Sequence, residues 1–246
     1  MITLKQGDCL ELMKDIPDGS IDCIICDLPY GTTACKWDTV IPFEPLWAHY
    51  TRIIKPNGAI VLFGSQPFTS ALVMSNPSKF KYSWIWDKKI STGHLNAKRM
   101  PMKKHEDILV FYSGTSLYNP QLEKRQEGIR VDRGTDKILG LNDSVYGVRK
   151  DTSGEYDFRQ PKSILEISNA DRTNRFHPTQ KPVALLEYLI KTYTNKGETV
   201  LDNCMGSGST GVAAKNLNRS FIGFELDAGY FEIAKNRIFE DCSDLL

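Results

Sequence analysis

The stretch Thr199-Val200-Leu201-Asp202-Asn203-Cys204-Met205-Gly206-Ser207-Gly208-Ser209-Thr210-Gly211 decides the fold. A short β-rich run ends in Asp202, and Gly206, Gly208 and Gly211 then fall in the pattern G-x-G-x-x-G ahead of a helix-compatible segment. Ser220-Phe221-Ile222-Gly223-Phe224 reads as the next strand, and Glu225 ends it 19 residues after Gly206. In a doubly wound α/β sheet this combination builds a cofactor site: the glycines allow a tight turn and close approach, and the carboxylate accepts hydrogen bonds from ribose hydroxyls. No Lys follows the glycines, which argues against a phosphate-binding P-loop.

Working outward, the position of the loop is unusual. A dinucleotide-binding domain places it near its start, yet only one more strand and one helix (Tyr230, Phe231, Ile233, Ala234, Ile238) fit after it. The rest of the sheet must come from the other end. There Ile21-Asp22-Cys23-Ile24-Ile25-Cys26 and Ala59-Ile60-Val61-Leu62-Phe63 are nearly continuous apolar runs, as in parallel strands buried on both faces. Between them Phe43, Leu46, Trp47, Tyr50, Ile53 and Ile54 recur at helical spacing, with Pro56-Asn57-Gly58 as the expected stop. Val183, Leu186, Leu189, Ile190 and Tyr193 predict a helix before the glycine loop. The aromatic runs 82–86 and 107–112 are expected to pair antiparallel at one edge of the sheet. The fold class read here is α/β, a doubly wound, mostly parallel sheet in permuted order. It divides into a catalytic half (1–112), an inserted polar, glycine-dotted recognition region (113–176) and a cofactor-binding half (177–246).

The chain has 246 residues, 41% hydrophobic and 25% charged, which excludes a mainly disordered or collagen-like protein. No apolar run is long enough to span a bilayer and the first residues carry no signal-peptide pattern. The six cysteines show no framework spacing, so a reducing, cytoplasmic setting is expected and no metal site is read. Cys23 and Cys26 form C-x-x-C, but inside a strand their side chains point to opposite faces. The formal charge of +1 is unevenly spread. Residues 79–175 hold 19 basic and 13 acidic side chains, a net +6, and the remainder is net −5. A basic middle between acidic ends suits a nucleic-acid surface, although a solvated loop region would look the same.

Asp27-Leu28-Pro29-Tyr30-Gly31 leaves the end of the strand at 21–26, where open α/β sheets place their active sites. These residues suit a planar base with an exocyclic amine. The Asp27 carboxylate and the Leu28 carbonyl can accept from the amine and favour positive charge developing on nitrogen. Pro29 stiffens the turn, and Tyr30 can stack on the ring, a contact worth about 1–3 kcal/mol.

Taken together, these motifs resemble the β class of S-adenosylmethionine-dependent DNA amino-methyltransferases. The resemblance rests on Asp27-Leu28-Pro29-Tyr30 and Asp202-x-x-x-Gly206-Ser207-Gly208-Ser209-Thr210. Gly7-Asp8-Cys9, His177-Pro178-Thr179-Gln180-Lys181-Pro182 and Gly223-Phe224-Glu225 match family motifs in the same permuted order. The run from Asp27 to Asp38 is most similar to small phage and prophage members. The resemblance implies a seven-stranded Rossmann-like methyltransferase fold and S-adenosylmethionine as cofactor. It places Glu225, with Leu226 after it, at the ribose and Asp8, with Cys9, by the adenine. Asp202, Cys204, Gly206, Ser207, Gly208 and Thr210 form the cofactor loop. Thr179 and Lys181 close over the methionine end, where Lys181 suits the cofactor carboxylate and equally suits a helix-entry salt bridge. Two positions depart from the family pattern: Leu28 stands for the usual Pro, and Asn203-Cys204 for the usual Pro-Phe.

The implied reaction is direct in-line transfer to an exocyclic nitrogen of a base flipped out of the duplex, since the amine is buried in stacked DNA. Within the family that the motifs resemble, Asp at the first motif position leans toward adenine N6 and Ser toward cytosine N4, so the resemblance implies adenine for Asp27. Candidate phosphate contacts are Lys88, Lys89, Lys98, Arg99, Lys103 and Lys104. Candidate base readers are Arg125, Arg130, Arg133 and Arg149. DNA is the expected partner; the resemblance implies that a homodimer and a cognate restriction endonuclease are both possible, and no residue here identifies an interface or reveals such an endonuclease. A nicotinamide-dependent oxidoreductase would explain the glycine loop and Glu225 but not the Asp27 turn. A catalytically idle DNA-binding protein would be expected to have lost motif residues that are intact.

Overall fold

Ile21–Cys26 forms the central strand, and all six of its residues are buried. In the computed structural model, which describes residues 1–32, 38–124, 158–169 and 180–239, the elements follow in chain order. They are β1 (Ile2–Gln6), α1 (Cys9–Leu12), β2 (Ile21–Cys26), α2 (Phe43–Ile53), β3 (Ile54–Gly64), α3 (Phe68–Ser75), β4 (Phe80–Thr92) and β5 (Lys103–Phe111), then β6 (Glu123–Lys124), β7 (Phe158–Arg159), β8 (Ile164–Glu166), α4 (Val183–Tyr193), β9 (Thr199–Asp202), α5 (Ser209–Asn216), β10 (Ser220–Glu225) and α6 (Ala228–Phe239).

Eight strands make the main sheet, in the order β1-β10-β9-β2-β3-β5-β4-β8. Its β1–β10, β10–β9, β9–β2 and β2–β3 pairs are parallel, and so is β4–β8; β5 alone runs against its two neighbours. The late strand β9 lies beside the early strand β2, with Cys23 opposite Val200 and Ile24 opposite Leu201. The permuted order therefore sets the carboxyl end of β2 next to the carboxyl end of β9. In open α/β sheets a crevice forms where the strand order reverses.

Alternation along the strands divides the core between the two faces. Cys23, Ile25, Val61 and Phe63 pack with α4, α5 and α6, whereas Ile24, Cys26, Ile60 and Leu62 pack with α2 and α3. Cys23 and Cys26 thus face opposite sides, as read from the sequence. Aromatic side chains tie α4 to the sheet: Trp84 Nε1 donates to the Tyr193 hydroxyl at 2.7 Å, and Tyr82 and Tyr193 hydroxyls lie 2.9 Å apart.

Four details differ from the sequence reading. A strand precedes Gly7: Ile2–Gln6 pairs with β10 at the sheet edge. Pro56-Asn57-Gly58 does not separate helix from strand, because α2 runs straight into β3 and the three residues form a bulge between the pairs Ile21–Ile54 and Cys23–Ala59. The β4–β5 pair is not the sheet edge, since β8, drawn from the polar 113–176 segment, adds outside β4. That strand also brings the count to eight where the family resemblance implies seven.

The chain divides into a large unit, Met1–Asn119 with Lys162–Leu246, and a small one, Pro120–Pro161. In the described part of the small unit β6 and β7 pair antiparallel, and Arg159 and Glu123 form an ion pair at 2.5 Å. Among the described residues no helix is long and apolar enough to cross a membrane.

Candidate active site and cofactor pocket

A cavity of about 510 Å³ opens over the carboxyl ends of the parallel strands. The turn after β2 lines it with Asp27, Leu28, Pro29 and Tyr30. The segment after β1 contributes Asp8 and Cys9; the loop after β9 contributes Cys204, Gly206 and Ser207; the end of β10 contributes Glu225, and Leu226 follows it. Asp202, Thr210 and Lys181 also line it. Of the described cofactor candidates only Gly208 is outside the lining. Thr179 lies outside the described residues, as do Arg125, Arg130, Arg133 and Arg149.

The glycine loop is held from several directions. Gly206 (φ +52°) and Gly208 (φ +80°) adopt the left-handed conformation that favours glycine. A Cβ on Gly208 would come within 3.0 Å of the Ala234 backbone on α6, and one on Gly211 within 2.4 Å of Ile238 Cδ1. The glycines therefore serve both the turn and the close packing of α5 on α6. The Glu225 carboxylate accepts from the Gly206 N–H at 2.8 Å and the Asp227 N–H at 2.9 Å. Asp202 accepts from the Thr210 hydroxyl at 2.6 Å and the Cys204 N–H at 3.1 Å. Asn203, one of the two departures from the family pattern, accepts from the buried Tyr50 hydroxyl at 2.6 Å, which anchors the loop to α2. Arg237 on α6, not foreseen in the sequence, donates to Ser207 and Ser209.

On the β2 side, Tyr30 donates its hydroxyl to Asp27 Oδ1 at 2.7 Å, and its ring stacks on Phe68 with centroids 4.9 Å apart. The turn is closed by Asp38, which accepts from the N–H groups of Gly31 (2.8 Å) and Thr32 (2.9 Å). Lys181 pairs with Asp27 Oδ2, and its ammonium also lies 3.4 Å from Glu106 Oε2. The other Glu106 oxygen pairs with Lys88 at 3.1 Å. Four alternating charges, Asp27–Lys181–Glu106–Lys88, thus run along one wall. Glu106 was not foreseen. It is delivered by β5, whose reversed direction puts its beginning, rather than its end, at the pocket edge.

The buried carboxyls divide into two groups. Burial pushes Asp27 above its ordinary value, against the pull of Lys181. Burial likewise raises Glu225 and lifts Asp202 to about 7. For Glu106 burial works in the same direction, but Lys181 and Lys88 outweigh it and hold the carboxyl low. Burial opposes the Lys181 charge as well, and Asp27 with Glu106 outweighs it and keeps the ammonium raised. The Cys26 thiol is pushed up to about 12 by burial, so it offers no nucleophile.

One candidate DNA contact needs correction. Lys88 is 7% exposed and committed to Glu106, because β4 is irregular between Asp87 and Thr92, with Lys89 at φ +61°, and this bulge turns Lys88 inward. Lys89 and Lys104 are exposed but paired with Glu166 and Asp87, and Lys103 bonds to Ser65. Lys98 and Arg99 are exposed in the turn between β4 and β5.

A family model described as DNA methylase, N6_N4_Mtase, matches residues 21–236. The chain belongs to this N6/N4 DNA methylase family. The methylase is 28% identical over 248 residues to Type II methyltransferase M.HpaI of Haemophilus parainfluenzae, covering 94% of this chain and 72% of the relative. With M2.MboI of Moraxella bovis it shares 26% over 262 residues, covering 96% and 87%. The solved M1.HpyAVI–SAM complex matches with a TM-score of 0.67 at 27% identity, covering 97% of this chain and all of that one. The cytosine-N4-specific PvuII DNA methyltransferase shares the fold, with a TM-score of 0.67 at 17% identity and coverage of 98% and 87%.

The family's cofactor is S-adenosylmethionine, and the donor set fits it. The described lining carries the carboxylates Asp8, Asp27, Asp38, Glu106, Asp202 and Glu225 against the cations Lys88 and Lys181. An acidic pocket in which burial raises three of the carboxyls is suited to a ligand bearing a sulfonium and an ammonium.

Proposed function

We propose that this methylase is a site-specific enzyme that transfers a methyl group from S-adenosylmethionine to the exocyclic N6 of adenine in DNA. The observation that carries the reading is the shared pocket, in which the Asp27–Tyr30 pair at the end of β2 faces the Glu225-braced glycine loop at the ends of β9 and β10. When bound, the cofactor supplies an activated methyl on sulfur, and the protein supplies position and polarity. Glu225 and Asp8 orient the nucleoside end, and the loop 203–208 holds the opposite end.

On the substrate side Asp27 accepts an N–H of the amine and the Leu28 carbonyl can accept the second. This aims the nitrogen lone pair at the methyl and stabilises the positive charge that grows on nitrogen. Tyr30, braced from behind by Phe68, offers a stacking surface at the pocket wall. A stacked duplex base cannot reach this depth, so the target is flipped. The exposed Lys98 and Arg99, with the arginines of the 113–176 segment, are assigned to the DNA backbone and bases. Thr179 remains assigned to closing the methionine end, whereas Lys181, held between Asp27 and Glu106, takes the salt-bridge role on the substrate side.

The preference for adenine rests on Asp27 as the first residue of the turn. Nucleoside mass spectrometry of unmethylated DNA treated with the protein and S-adenosylmethionine tests it. N6-methyladenine is expected; N4-methylcytosine alone would overturn the base assignment while keeping the reaction class.

A further inference from the structure

Asp27 meets the incoming amine with both oxygens engaged, Oδ1 by the Tyr30 hydroxyl and Oδ2 by the Lys181 ammonium. An ammonium is a stronger donor than an aromatic amine. While Lys181 sits on Oδ2 it competes for the acceptor and cancels the charge that should stabilise the developing cation. Next to it is a vacant acceptor. Glu106 Oε2 is buried and has no hydrogen-bond partner, and Lys181 Nζ lies 3.4 Å away. A normal N–H···O contact is about 2.9 Å, so a small swing of the Lys181 side chain transfers its hydrogen bond from Asp27 to Glu106. Lys88, 3.1 Å from the other oxygen, holds the Glu106 carboxylate in place throughout. The face of Phe63, 5.1 Å from Nζ, forms a cation-tolerant floor to the swing.

We infer that Glu106 is a positioning residue which receives the Lys181 ammonium when the target amine engages Asp27, freeing that carboxylate for the reaction. The inference rests on methyl transfer to an amine at Asp27. After the exchange every acceptor has a donor: Lys181 moves from one carboxylate to the other, and an N–H of the neutral amine takes its place on Asp27, whose charge is then free to stabilise the cation that grows on nitrogen. A buried polar atom without a hydrogen bond is uncommon in native proteins, and the exchange gives Oε2, which here has only the 3.4 Å ion pair with Lys181, its donor.

The full-length protein tests it with E106Q, E106D and the double variant E106Q/K181M. Methyl transfer to unmethylated genomic DNA gives kcat, calorimetry with S-adenosylmethionine alone gives cofactor affinity, and thermal melts report folding. The groups facing Asp27 are Lys181 and Tyr30, with Glu106, Cys26 and Asp202 behind them. E106Q is expected to lower kcat by about 10²-fold with cofactor affinity unchanged. Its acid limb should move to lower pH, because Lys181 is then left wholly to Asp27 and the neighbouring negative charge is gone. E106D should recover part of kcat, and E106Q/K181M should exceed E106Q because the competing cation is gone. An E106Q kcat within twofold of wild type, a double variant no better than E106Q, or parallel loss of folding, cofactor affinity and rate would each overturn the inference. Wild-type protein that leaves no methyl on any DNA base would instead defeat the underlying reading.

Discussion

Replacing Asp202 by Asn will stabilise the protein at pH 8.5 and not at pH 4. Asp202 is 3% exposed at the end of β9, its oxygens receiving one hydroxyl and one backbone N–H. Two hydrogen bonds do not offset the loss of water around the anion, and burial lifts the carboxyl from 3.8 to about 7. A carboxyl raised in the folded state contributes stability that is complete below its unfolded value and is lost as pH rises through its folded value. For Asp202 that loss runs from about pH 4 to about pH 8. At 1.36 kcal/mol per pH unit the shift amounts to about 4 kcal/mol, an upper figure for a buried group. Asn has nearly the same shape, can still accept from the Cys204 N–H and does not titrate. Urea unfolding of both proteins at half-unit steps from pH 4 to 8.5 gives the difference curve. It should rise with pH in favour of the variant, steepest between about pH 5 and 6, midway between the unfolded and folded values, and level off above about pH 8. A flat curve, or one that falls, would refute the account of Asp202 as a desolvated carboxyl. The same reasoning makes cofactor binding a proton-releasing event near pH 7, because a cationic ligand favours the ionised carboxylates. Calorimetry in buffers of different ionisation enthalpy should show less release in the Asn variant.

Asp27→Ala should lower tritiated-methyl incorporation by about 10²-fold or more while the protein still binds S-adenosylmethionine; equal incorporation would remove Asp27 from the active site. Gly211→Ala places a Cβ 2.4 Å from Ile238 Cδ1 and 2.8 Å from the Phe221 ring, and should cost about 1–3 kcal/mol in urea unfolding, part of it recovered by Ile238→Val. The pair Lys98→Ala and Arg99→Ala should weaken DNA binding irrespective of sequence and flatten the slope of log affinity against log salt by about 2. An unchanged slope would take these residues off the phosphate backbone.

Local spacing made the glycine loop readable. Gly206, Gly208, Gly211 and Glu225 are separated by fixed turn and strand lengths, so their geometry follows from order along the chain. The strands at 21–26 and 59–63 announced themselves by continuous burial. Less visible were features that depend on partners distant in sequence. Ile2–Gln6 is an edge strand whose exposed last residue and alternating polarity give no continuous apolar run. Glu106 and Arg237 look like ordinary surface charges until β5 and α6 bring them against Lys181 and Ser207. Lys88 was legible as a basic residue but not as a buried one, since only the β4 bulge turns it inward. Asn203 read as an anomaly and is explained by Tyr50, 153 positions earlier.

The one strand that runs backwards also shapes the mouth of the pocket. A crossover between parallel neighbours must travel the whole length of the sheet and return, usually as a helix. Because β5 reverses, β4 can turn back at the reactive edge in a short hairpin, and Thr92 at its base lines the cavity. The tip of that hairpin exposes Leu95 at 90% and Met100 at 58%, beside Lys98 and Arg99. The site therefore has a rim that can lengthen, shorten or change its side chains without disturbing a single strand of the core. Variation at the rim is thereby separated, in the architecture itself, from the pocket beneath it.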